Sequence, residues 1–132
     1  MLGELIYEGK GKARGMRVLD DNGTMETTFQ EEGTIFGIEC TTTLTVVSAY
    51  RPDGAGYSEG YGMMFTKEGD TATLTTSAIS IPRGAMPAGS MRGTTFFRTQ
   101  SPKLARLNNI VSIYETEVNE DLSYEVKYWE WK

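Results

Sequence analysis

Residues 62–99, GMMFTKEGDTATLTTSAISIPRGAMPAGSMRGTTFFRT, decide how the rest of the chain is read. Met63-Met64-Phe65 reads as a strand, Lys67-Glu68-Gly69-Asp70 as a tight turn, and Thr71 to Ile79 as a second strand. The Pro- and Gly-rich run Ile81 to Ser90 is a loop, because proline and repeated glycine do not suit a strand core. Arg92-Gly93-Thr94-Thr95-Phe96-Phe97-Arg98 is a third strand. A two-residue turn at Glu68-Gly69 would set Phe65 opposite Ala72 and Met63 opposite Leu74, giving one apolar face.

The same signature extends in both directions. Ile35 to Tyr50 alternates cleanly: Phe36, Ile38, Cys40, Thr42, Leu44, Val46 and Ser48 share one face. Sixteen residues at about 3.3 Å each exceed a usual strand, so a bend near Gly37 or Thr41 is expected. Thr24 to Glu31 reads as a short polar strand anchored by Met25 and Phe29. Asp20-Asp21-Asn22-Gly23 and Arg51-Pro52-Asp53-Gly54 are turns. Glu4 to Val18 is extended but interrupted by Gly9, Gly11 and Gly15, which suggests a bent or bulged strand. Gly54 to Gly62 is a further strand with Tyr57, Glu59 and Tyr61 on one face. Its glycines lack the spacing of a phosphate loop, and no helical pattern follows.

Asn109 to Val118 and Leu122 to Trp131 form a last hairpin. Opposite charges favour the register that sets Glu115 against Lys127, Ile113 against Trp129 and Tyr114 against Tyr128. Ser101 to Asn108 is the one helical segment, with Pro102 at its first position, Ser101 as cap and Asn108 as a left-handed stop. Leu104 and Leu107 share a face that would plug one end of a β structure.

These elements give an all-β fold: one domain over residues 1–132, an antiparallel up-and-down barrel of about eight strands with a short helix near 102–107. Closure removes sticky strand edges, and a two-sheet sandwich is the runner-up.

Composition narrows function mainly by exclusion. The chain has 132 residues, a net charge of −5 and no histidine. An acidic protein is not expected to bind nucleic acid, which is held largely by Lys and Arg on phosphates. The basic run Lys10 to Arg14 reads as a solvated strand face. Without histidine, Ser-His-Asp and Cys-His catalysis are excluded within one chain, and the commonest metal ligand is missing. The lone Cys40 reads as a small buried hydrophobe. No secretory signal pattern opens the chain and no long apolar run crosses it, so a soluble cytoplasmic protein without membrane contact, cofactor or metal is expected.

Arg92-Gly93-Thr94 leading into Phe96-Phe97, Ser101 to Asn108, Tyr114-Glu115 and Trp129-Glu130-Trp131 carry a resemblance. Across residues 60–132 the chain resembles a group of small uncharacterised prokaryotic proteins. Their fold is similar to the calycin-like barrel of allene oxide cyclase. That enzyme holds a fatty-acid-derived epoxide in an apolar barrel and is a homotrimer. The resemblance implies architecture; no catalytic motif aligns, so no catalytic residue is carried over.

Three functions fit this reading. The leading one is a barrel binding an apolar or amphipathic small molecule, lined by Tyr57, Tyr61, Met63, Phe65 and Glu115, with Arg92 or Arg98 at its mouth. Met64, Met86 and Met91 are further lining candidates. The second is a homo-oligomeric structural or interaction module joined through the aromatic strand Tyr128 to Trp131. The third is a cofactor-free isomerase or cyclase working through a buried Glu, with Glu39, Glu59, Glu115 and Glu130 as the strand candidates. Non-enzymatic binding is preferred over catalysis.

Overall fold

Eight strands close into one barrel in chain order, each antiparallel to the next and the last to the first. A computed structural model describes residues 2–84 and 87–132. The strands are β1 (Leu2–Val18), β2 (Met25–Ile35), β3 (Ile38–Tyr50), β4 (Gly56–Thr66), β5 (Thr71–Pro82), β6 (Gly89–Arg98), β7 (Ser112–Val118) and β8 (Ser123–Trp131). Among the described residues no helix is long and apolar enough to cross a membrane.

Alternation decides which side chains fill the interior. Cys40, Thr42, Leu44, Val46 and Ser48 of β3 are buried, as the sequence pattern predicts. β2 and β3 correct the expected 16-residue strand, however: the chain reverses fully at Phe36-Gly37 rather than bending. Both residues take positive φ, 50° and 80°, as a two-residue hairpin on right-twisted strands requires. Positive φ is unusual for phenylalanine. Packing offsets that cost, since the Phe36 ring lies against the core and 5.0 Å beneath the Arg106 guanidinium.

The β4–β5 hairpin corrects a register. Phe65 pairs with Thr71 and Met63 with Thr73, while Met64 meets Ala72 and Gly62 meets Leu74. The Thr66–Asp70 pairing leaves Lys67, Glu68 and Gly69 in the loop, one residue more than a two-residue turn. Gly69 (φ 91°) donates its N–H to the Thr66 carbonyl at 3.0 Å, and the Thr66 N–H donates to the Asp70 carbonyl at 2.8 Å. A one-residue shift sends every side chain to the other face. Met64 therefore points inward and Met63 and Phe65 outward. The β7–β8 register follows the charge argument: Glu115 faces Lys127, Ile113 faces Trp129 and Tyr114 faces Tyr128.

The expected helix is a 3-10 helix, Pro102–Asn109. Ser101 makes no side-chain cap bond. Asn108 does not stop the helix in a left-handed conformation; its amide clasps Thr99, accepting from the N–H at 2.9 Å and donating to the carbonyl at 3.0 Å. Leu104 and Leu107 are fully buried and plug the barrel end that carries the β2–β3 and β4–β5 turns. The opposite end carries the β5–β6 connection, where Met86 lies outside the described residues.

Candidate functional site

Glu31 is buried midway along the barrel, 5% exposed, with Tyr7, Tyr114, Tyr124 and Tyr128 around it. Its placement follows from alternation: Thr27, Phe29, Glu31 and Ile35 of β2 share the inward phase. Both carboxylate oxygens are occupied. The Tyr7 hydroxyl donates to Oε1 at 2.8 Å and the Tyr124 hydroxyl to Oε2 at 2.7 Å.

Glycines on β1 make this arrangement fit. A Cβ on Gly11 would stand 2.7 Å from the Tyr124 hydroxyl and 2.8 Å from Cγ of Glu31. A Cβ on Gly9 would stand 2.6 Å from the Tyr7 hydroxyl. β1 carries the expected bulge between Ala13 and Gly15, and Gly9 and Gly11 in addition vacate space beside Glu31 and its two donors. A wall of rings surrounds the group. Tyr114 stacks on Tyr128 at 5.2 Å, Tyr7 meets Tyr128 edge-on at 5.0 Å, and Phe29 meets Tyr124 edge-on at 5.4 Å.

Burial dominates the electrostatics. It raises the Glu31 carboxyl above its ordinary value, against the two tyrosine hydrogen bonds, which favour the charged form. Burial also raises the Tyr7 and Tyr124 phenols, and the negative charge of Glu31 adds to the effect. Both therefore remain protonated donors. The Cys40 thiol is pushed up to about 11, first by burial and then by Glu31. Among the described residues no group of Cys, Asp and Glu could hold a metal ion.

A cavity of about 30 Å³ adjoins Glu31, lined also by Tyr114, Tyr124, Phe29, Val46 and Met91. A second void of about 10 Å³ lies toward the β5–β6 connection, between Ser48, Ser58, Ser80, Pro82 and Pro87, and shares Phe29, Val46 and Met91 with the first. One water needs roughly 10–15 Å³ on this measure, so the larger void holds about two. Drug-sized pockets are at least tenfold larger.

The residues expected to line the interior lie elsewhere. Tyr61 is 76% exposed, and Met63, Phe65, Arg92, Arg98 and Glu115 are also exposed. Arg92 pairs with Glu115 across the outer surface at 3.7 Å. Tyr57 is half-buried on the same outer side, with the Arg51 guanidinium 5.0 Å from its ring and its hydroxyl donating to Glu59 at 3.0 Å. The β4 parity explains the displacement of Tyr57, Tyr61, Met63 and Phe65. Of the described methionines, Met64 and Met91 are the two that are buried in the interior. Glu39, Glu59 and Glu115 face outward, and Glu130 accepts from Arg106 at 2.9 Å. Glu31 takes the place expected of them. It was legible as the residue in phase with Phe29 and Ile35, but a strand ended at Glu31 conceals that phase.

A shallow groove of about 700 Å³ crosses the outside of β6, β7, β8 and β1, past Lys10, Arg92, Glu115, Glu125, Lys127 and Trp129. Its charges largely neutralise one another, as in Lys10–Glu125 at 3.4 Å and Arg92–Glu115 at 3.7 Å. Exposed pairs of this kind hold little fixed field. The interior is the chemically distinctive place.

The chain shares its fold with small uncharacterised barrel proteins. The conserved protein of unknown function RPA1785 from Rhodopseudomonas palustris superposes with a TM-score of 0.80 at 12% identity, over 98% of this chain and 97% of that one. A protein of unknown function from Clostridium acetobutylicum gives 0.79 at 12% identity, over 98% of each chain. The beta-barrel like protein ABAYE2633 from Acinetobacter baumannii gives 0.80 at 12% identity, over 100% of this chain and 96% of that one. No protein-family model matches the sequence, and no curated protein matches it. At this identity the likeness concerns the fold alone.

Proposed function

We propose that the barrel binds a compact amphipathic molecule whose amine or hydroxyl head meets Glu31 and whose apolar part lies against Phe29, Val46 and Met91. The observation that carries this reading is the carboxyl buried inside the barrel and bordering a void. A core needed only for packing gains nothing from a buried ionisable group, because desolvation is costly and apolar residues of similar volume do as well or better. The aromatic wall suits a cationic head, since ring faces attract cations. The void sets a size limit of about two water-sized groups, which a short-chain molecule exceeds only where Met91, the adaptable side chain between the two voids, repositions. The resemblance to allene oxide cyclase-like barrels contributes only the shared idea of a small barrel holding an apolar molecule.

Native mass spectrometry of freshly purified protein, compared with its denatured mass, tests the proposal. A mass excess carried by the unaltered protein and lost in Glu31→Gln supports it. Bare masses for both, with no rise in unfolding temperature from short alkylamines or alkanols, refute it.

The same carboxyl favours a second reading, a cofactor-free isomerase. A carboxyl whose pKa is raised by burial can serve as a general acid or base. Deuterium entering the bound molecule from heavy water, at a position Glu31→Gln leaves unlabelled, would distinguish catalysis from storage.

A further inference from the structure

The outer surface of the barrel is divided unevenly. Around β1, β2, β7 and β8 it carries Glu8, Lys10, Lys12, Glu32, Glu117, Glu125 and Lys127 among its exposed residues. Across β3 to β6 charge is sparser, limited to Glu39, Glu59, Arg92 and Arg98. Thr41, Thr43 and Val47 of β3, Tyr61, Met63 and Phe65 of β4, Thr71, Thr73 and Thr75 of β5 and Phe96 of β6 all stand exposed there. The ion pairs that touch these strands stand at their margins: Glu39 of β3 with Lys67 of the β4–β5 turn, and Arg92 of β6 with Glu115 of β7.

Besides Glu39 and Arg92, two further charges stand on it, with opposite signs. Glu59 on β4 accepts a hydrogen bond from Tyr57, and no ion pair engages Glu59 or Arg98 among the described residues. Register fixes their relation. Glu59 faces Ser77 on β5, while Arg98 on β6 faces Thr73. Thr75 lies midway between those β5 positions, and its own partners are Tyr61 and Phe96.

We propose that this face is the contact between two copies of the chain. A two-fold axis lying in the contact plane, through Thr75 and perpendicular to the Glu59–Arg98 diagonal, sets Glu59 of one copy over Arg98 of the other, twice. The two sets of Tyr61, Met63 and Phe96 then close around the axis. Such self-complementarity is what an isologous interface requires. Charge depletion with aromatic and methionine enrichment is the compositional mark of an interface centre. Four strands about 4.8 Å apart, over about nine residues at about 3.3 Å, project roughly 550 Å² before side-chain relief is added. That is of the order of the roughly 800 Å² each partner buries in a standard interface. The location differs from the aromatic C-terminal strand expected from sequence, where Trp129 lies among paired charges.

Sedimentation equilibrium on the full chain tests the proposal. The dimer is expected for the unaltered protein. Glu59→Arg and Arg98→Glu should each weaken it by tenfold or more, about 1.4 kcal/mol, through like charges set opposite one another. The double swap should restore it. Tyr61→Lys should yield a monomer with unchanged circular dichroism, since the side chain is outside the core. A monomer at every concentration overturns the proposal. So does an oligomer that Tyr61→Lys and the single swaps leave intact, because another face must then hold it.

Discussion

Raising the pH to about 11 should strongly destabilise this barrel through its tyrosines. Tyr7, Tyr114, Tyr124 and Tyr128 all have phenols raised above the ordinary value, in each case chiefly by burial. In the unfolded chain a tyrosine ionises near pH 10, whereas in the folded barrel these remain protonated. Above about pH 10 the folded state therefore binds more protons than the unfolded state, and stability falls as pH rises. At about pH 11 a phenol that stays protonated in the folded state has cost about 1.4 kcal/mol, so Tyr7, Tyr124 and Tyr128 together cost about 4 kcal/mol, and Tyr114 adds to this. Domains of this kind have only about 5–15 kcal/mol in total. Urea unfolding at neutral and alkaline pH, followed by circular dichroism alongside phenolate absorbance, measures the effect. The phenolate signal of these tyrosines should appear in the same step as loss of structure. Free ionisation of all the tyrosines around an intact fold would refute the reasoning, as would a flat stability between about pH 10 and 11.

Further outcomes follow from the same geometry. Glu31 has a raised folded-state pKa, so its contribution to stability is fully present below the ordinary carboxyl value of 4.5 and is lost as pH rises through the folded value. Compared with Glu31→Gln in denaturant titrations, the unaltered protein should lose up to about 1.4 kcal/mol per pH unit across that window and then level off. Gly11→Ala should destabilise by about 1–3 kcal/mol, the usual cost of overpacking, because the new methyl meets the Tyr124 hydroxyl and the Glu31 stem; urea midpoints check this. Leu104→Ala or Leu107→Ala should cost about 2–5 kcal/mol in the same assay by opening the plugged end.

The barrel was legible because its turns announce themselves. Asn22-Gly23, Asp53-Gly54 and the charges of β7 and β8 fix hairpins by local chemistry alone. The β2–β3 reversal was not legible, because Phe36 and Ile38 keep the phase of Cys40, Thr42 and Leu44. The alternation runs through the turn without a break, and a phenylalanine at positive φ carries no turn signal. The β4–β5 slip has the same origin in reverse: the turn was recognised, but its hydrogen bonds set the parity. One residue of error there moved Tyr61, Met63 and Phe65 from the interior to the surface. Glu31 was hidden by its own polarity, since a glutamate at a strand end looks solvated. Only closure of the barrel, which brings β8 against β1 and supplies the Tyr124 donor beside Tyr7, makes it a tolerable interior residue.

The most direct test of the interior site is the titration of Glu31 itself, by carbon NMR of protein labelled at the glutamate carboxyl, with Glu31→Gln identifying the resonance. The account predicts one carboxyl that titrates above the ordinary range of about 4–5 and shifts when a short alkylamine is added. A Glu31 resonance that titrates with the surface glutamates and ignores the amine would contradict it.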